Sequence, residues 1–149
     1  MKRFKFGLEK VLKLRRHNEH EARVELGRAI GVLAGIENEL KRNADTRAGA
    51  VKERFAGIGE NSADGINGSL SMHAWDAYIN RLEQEADRLM EEADRAEIVI
   101  EEKRNLYIEA SREVKVMENL KERREKEHRK EMFTEETKEM NDRKIIPSI

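Results

Sequence analysis

Gly57-Ile58-Gly59-Glu60-Asn61-Ser62-Ala63-Asp64-Gly65-Ile66-Asn67-Gly68-Ser69 decides the fold, because here a long run of helical spacing stops. Gly, Asn, Asp and Ser supply turn conformations that a continuing helix penalises. Upstream, apolar or small residues fall at Leu8, Val11, Ala22, Leu26, Ala29, Leu33, Ile36, Leu40, Ala44, Val51, Phe55 and Ile58. The steps are mostly threes, fours or their sums, the seam of an amphipathic helix. Arg15 and Asn18 interrupt it, at a cost in stability that can fix coiled-coil register. Downstream, Ser69 or Ser71 offers a helix cap and Asp76 suits a first turn. A second seam follows through Trp75, Tyr78, Leu82, Ala86, Leu89, Ala93, Ala96, Ile100, Tyr107, Ala110, Val114, Met117 and Leu120, with Lys103 as its polar interruption. Lys121 to Lys130 is nearly all charge, the pattern of a solvated single helix.

Two amphipathic helices joined by a short break bury their stripes most simply by folding back on each other. The expected fold is all-α, a long antiparallel two-helix coiled-coil hairpin forming a single elongated domain over residues 1–149. Its parts are a helix at about 4–57, a loop at about 58–69, a helix at about 70–141 and a frayed C-terminus. At the α-helical rise these helices are about 80 Å and about 105 Å long. The stretch from about Lys126 to Asn141 is therefore expected to project past the N-terminus, where it needs a partner or frays.

Composition agrees with an extended fold, since 41% of the 149 residues are charged and only 38% hydrophobic, too few for an easy compact core. Disorder is the competing reading, but regular apolar spacing and a net charge of −1 argue against it. The same near-neutral charge argues against nucleic acid, which selects strongly basic surfaces. Cysteine is missing, which excludes disulfides and thiolate sites. No apolar run is long enough to cross a bilayer, and the basic start Met1 to Lys5 leads into no signal-type segment. A cytoplasmic protein without direct membrane insertion is expected.

Candidate chemistry is sparse. His17 and His20 share a helical face with Glu21, but a zinc site needs further ligands and a shielded pocket, so these read as solvated side chains. His73 and His128 are isolated. A general acid needs a carboxyl raised by burial, which an open helix surface does not provide. The glycines of the break are followed by neither Lys-Ser nor Lys-Thr, so no phosphate loop is present. No enzyme, cofactor or metal is expected.

Contact surfaces are more informative. Lys2, Arg3, Lys5, Lys10, Lys13, Arg15 and Arg16 make the N-terminal stretch basic, whereas Glu83 to Glu102 is strongly acidic. Gly27, Gly31 and Gly35 recur every four residues, and at 100° per residue they point away from the seam. With Val24, Ala34 and Asn38 they form a smooth uncharged strip open to close approach by a partner. Trp75, Tyr78 and Phe55 are expected to form an aromatic plug.

The opening Phe4-Lys5-Phe6-Gly7-Leu8-Glu9-Lys10-Val11-Leu12-Lys13-Leu14-Arg15 resembles the start of the FliJ family of flagellar export proteins. In outline the likeness extends through the Ala-rich first helix, the break, Tyr107 and Ala110, and Met117-Glu118-Asn119-Leu120-Lys121-Glu122-Arg123. His128 departs from it, standing where an aromatic is expected, and Met140-Asn141-Asp142 follows it only loosely. The resemblance implies a soluble, non-enzymatic stalk of the flagellar type III export apparatus, peripheral at the flagellar base. Its implied partners are the export ATPase, the export gate membrane protein and export chaperones. For the ATPase ring the candidate residues are Phe4, Phe6, Leu8, Lys10, Val11, Lys13, Arg16, Met132, Phe133 and Met140. For the gate they are Gly27, Gly31, Gly35, Trp75 and Tyr78. The alternatives are a general coiled-coil holdase chaperone or adaptor, and a structural dimeric coiled coil.

Overall fold

A computed structural model describes the backbone of residues 2–60 and 65–145 and the side chains of residues 2–56 and 71–144. The chain is all-α, with two helices packing against each other: α1 (Glu9–Glu60) and α2 (Gly65–Ile145). Their residues form two compact units. The first combines the chain start through Val24 with the chain from Asn105 onward, and the second is Glu25–Arg104.

In the first unit, ion pairs join Arg15 to Glu113 and Lys121 Nζ to Glu9 Oε2 at 3.0 Å, so residue numbers rise along α1 as they fall along α2. The segments are antiparallel. Leu12 is completely buried in a cluster with Phe6 and Val114, against which Phe4, Leu8, Met117 and Leu120 pack. In the second unit the same sense is set by Asn43 Nδ2 donating to the Leu82 carbonyl at 3.0 Å and by Arg54 Nε lying 2.7 Å from Asp76 Oδ1. Its buried residues are mainly small: Ala29, Ala50, Ala86 and Ala96, with Leu89 and Ile100.

The helix bounds differ from the sequence expectation at each end. α1 begins at Glu9 rather than near residue 4, because the preceding residues fold back onto α2. The Glu9 N–H donates to the Phe6 carbonyl at 3.2 Å, closing a turn around Gly7, and Phe6 is 9% exposed. Glu9, in the first turn, complements the positive end of the helix dipole. At the break, α1 runs on through Gly57 and Gly59 to Glu60, and α2 takes in Gly65 to Ser69. Glycine costs a helix only about 1 kcal/mol per residue, a penalty that weakens the coil without stopping it. Of the expected loop, residues 61–64 lie outside the described residues. Ser69 and Ser71 thus lie inside α2 rather than at its start, and Asp76 pairs with Arg54 instead of serving a first turn. α2 continues past 141 to Ile145, with Arg143 and Lys144 in the last turn.

The packed stripe also needs correcting by one residue in two places. Among the expected seam residues Val11 is 37% exposed, whereas its neighbour Leu12 is fully buried. Past Leu40 the side facing α2 is Asn43, Arg47, Ala50 and Arg54, while Ala44, Val51 and Phe55 are exposed. Apolar count alone selects the wrong neighbour in each case. On α2 the expected seam is largely the packed one, with Ala86, Leu89, Ala96, Ile100 and Val114 buried.

Leu12→Ala is expected to destabilise the fold by about 3 kcal/mol through lost burial and a residual cavity. Val11→Ala should change it by no more than about 0.5 kcal/mol, as for other exposed positions. Urea unfolding followed by circular dichroism separates the two, and equal costs would contradict a packed stripe that runs through Leu12.

Candidate partner-binding surfaces

The first unit builds its surface on a strap, residues Lys2 to Leu8, laid over α2. Phe6 enters the core cluster, and the Arg124 guanidinium carbon stands 5.7 Å from its ring centroid. Phe4 meets the His128 ring at 5.6 Å between centroids with 42° between planes. His128 Nε2 lies 3.1 Å from the Lys2 carbonyl, an acceptor to which the imidazole N–H donates. Lys121, Arg124 and His128 continue the three-four spacing of Met117 after hydrophobicity has ended. Their polar identity hid them in the sequence, yet His128 presents a flat ring to Phe4. The expectation of a bare solvated helix over Lys121 to Lys130 is corrected on this side: Glu125, His128 and Met132 are half-buried, and full exposure begins at Phe133.

Lys2, Arg3 and Lys5 remain exposed and line a cleft of about 490 Å³ with Arg124, Glu127 and Glu131. Lys10 and Lys13 are exposed, and Arg16 reaches Glu118 at 3.3 Å. Of the candidate ring contacts, Phe6 is buried, Phe4, Leu8 and Met132 are half-buried, and Val11, Phe133 and Met140 are exposed at 37%, 71% and 64%. Phe133 and Met140, seven residues apart, share one stripe of α2. His128 precedes Phe133 by five residues, which turns the two roughly 140° apart around the helix. The candidates thus divide into an aromatic anchor under the strap and a separate exposed stripe.

Further along this unit, Arg23 Nη2 donates to the Tyr107 hydroxyl at 3.5 Å and stands over its ring at 5.8 Å. That hydrogen bond, with the charges of Tyr107 and Glu19, holds the guanidinium above its ordinary pKa. Arg23 stays a cation.

In the second unit, Gly27, Gly31 and Gly35 are exposed, and a Cβ built on any of them meets nothing within 4 Å. Trp75 and Tyr78 are half-buried and meet edge to face at 6.0 Å. Phe55 does not join them; it is 62% exposed beneath the Arg54 guanidinium, so the expected three-ring plug is a pair. Ile30, Val32, Ile98 and Val99 are exposed apolar residues that seam counting passes over because they stand off the packed stripe. His17 Nε2 sits 3.0 Å from Glu21 Oε1 in the first unit, and no metal-holding group of three side chains occurs among the described residues.

A family model described as Flagellar FliJ protein matches residues 4–143. No curated protein and no solved structure matches the chain.

Phe6→Ala is expected to loosen the strap without melting the helices. Losing about 1.4 kcal/mol of docking raises the open population tenfold, and cleavage by trypsin after Arg3 and Lys5 rises with it. Phe133→Ala should leave that cleavage rate unchanged. Equal rates in wild type and Phe6→Ala would show that the ring does not hold the strap.

Proposed function

The chain belongs to the FliJ family, non-catalytic components of flagellar protein export, and on that premise we propose that it serves as the stalk between the export ATPase ring and the export gate. In this role it assists ATPase assembly and the handling of export chaperones, at the cytoplasmic side of the flagellar base. No helix among the described residues is long and apolar enough to cross a membrane, which suits a peripheral part.

The observation that carries this reading is the anchored basic surface of the first unit. A strap held by Phe6 keeps Lys2, Arg3 and Lys5 exposed, and α1 adds Lys10 and Lys13. Cations fixed on a packed support lose little freedom on binding and speed encounter with an acidic partner. Phe4 and Phe6 then act as the anchor, and the apolar ring contacts fall to Val11, Phe133 and Met140. The gate contacts fall to the open strip of Gly27, Gly31 and Gly35 and to Trp75 and Tyr78.

Lys10→Glu with Lys13→Glu should lower stimulation of the export ATPase by about tenfold at low salt, a loss of about 1.4 kcal/mol, and by less as ionic strength rises. Stimulation unchanged in the folded variant would remove this surface from the ring contact. For the gate, replacing Gly27, Gly31 and Gly35 together by Ala should raise stability, by up to about 1 kcal/mol per site, because each Cβ enters open space. Gly31→Leu should retain that helix benefit and weaken gate binding. Undiminished gate binding by Gly31→Leu in a pull-down would exclude the strip.

A further inference from the structure

Beyond Leu40, α1 of the second unit carries two stripes with seam spacing. Asn43, Arg47, Ala50 and Arg54 face α2, while Ala44, Ala48, Val51 and Phe55, each one residue further along, face solvent. The buried stripe is the polar one. Asn43 is 7% exposed, and although its Nδ2 bonds the Leu82 carbonyl, its Oδ1 is buried without a partner. Arg47 Nε is likewise buried and unpartnered, and Arg54 Nε, though 2.7 Å from Asp76 Oδ1, makes no aligned hydrogen bond with it. Meanwhile Val51 is 38% and Phe55 62% exposed. Packing that buries unsatisfied polar atoms and leaves a Phe in water has a near competitor.

We propose that this part of α1 is a two-register element, in which a turn of one residue, about 100°, replaces the polar stripe by the apolar one. The sequence contains a route. Leu33, Ile36, Leu40, Asn43, Arg47, Ala50 and Arg54 advance by alternating threes and fours, the spacing of a left-handed supercoil. From Ile36 the other stripe advances through Leu40, Ala44 and Ala48 by fours, which unwinds that supercoil locally before Val51 and Phe55. No helix need break, since both registers share Leu33, Ile36 and Leu40. The small side chains of Ala50 and Ala86 on the buried faces present little bulk to the rotation. The observed register keeps the Asn43–Leu82 hydrogen bond and the Arg54–Asp76 ion pair, and the second exchanges them for burial of Val51 and Phe55. A partner that contacts this face meets an apolar surface in the first register and a cationic one in the second. The inference stands apart from the stalk reading, because it concerns an equilibrium within the unbound chain.

Methyl relaxation dispersion at Val51 tests it in the full chain, with 4-fluorophenylalanine placed at position 55 as a second probe. Minor states of 0.1–10% exchanging in microseconds to milliseconds are visible this way. Exchange is expected at both positions. Asn43→Leu with Arg47→Leu, which relieves the polar burial of the observed register, should reduce the exchange contribution at least about tenfold, the population change for 1.4 kcal/mol. Phe55→Ser, which removes the gain of the second register at a position 62% exposed in the first, should reduce exchange at Val51 as well. A flat dispersion profile at Val51 in the wild-type chain, or exchange that persists in Phe55→Ser, overturns the proposal.

Discussion

A pair of helices can remove from water only the side chains on their shared stripes, because no third layer covers what the stripes leave out. Each unit of this chain is governed by that constraint. Leu12 disappears from solvent entirely because Phe6, Val114, Met117 and Leu120 close around it, and full burial of one such side chain contributes about 2 kcal/mol. Among the described residues the next most buried are Ala86 and Leu89, at 2% and 3%. Most of the chain's apolar residues stay partly wet, so its stability rests on a short series of well-buried positions and on weak exposed ion pairs, each contributing at most about 1 kcal/mol.

The strap follows from the same constraint. α1 begins only at Glu9, so the stripe of α2 beyond Lys121 has no helix opposite it. Residues 2 to 8 supply the cover, with Phe6 beneath Arg124 and Phe4 against His128. Two flat faces, one guanidinium and one imidazole, let a charged stretch of helix accept aromatic rings without becoming hydrophobic. The strap's own cations remain outward, and an anchored basic surface results.

In the second unit the stripe is filled mainly by alanines, and two of its positions past Leu40 hold arginines with an unpaired or poorly aligned Nε. Such positions specify register more than they stabilise it, because a polar group on a seam tolerates few alternatives. Here the tolerance is widened by Ala44, Ala48, Val51 and Phe55 beside it. Local marginality of this kind is where a helical pair can respond to a partner.

The helical state of both long segments, their antiparallel pairing and the family likeness of the opening residues were all legible in the amino-acid order. Three-four spacing is a local property, and folding back is the shortest way for two such stripes to leave water. The candidate contact residues were partly legible: the glycine strip is open as its phase implied, while the division of the aromatic anchor from Phe133 and Met140 was not readable. What tertiary structure alone decided is phase. Whether Leu12 or Val11 turns inward, and whether Asn43 or Ala44 does, depends on which residues of α2 and of the strap stand opposite. One residue along a helix is a turn of about 100°, so composition can identify an amphipathic helix while only the opposing surface selects its buried face.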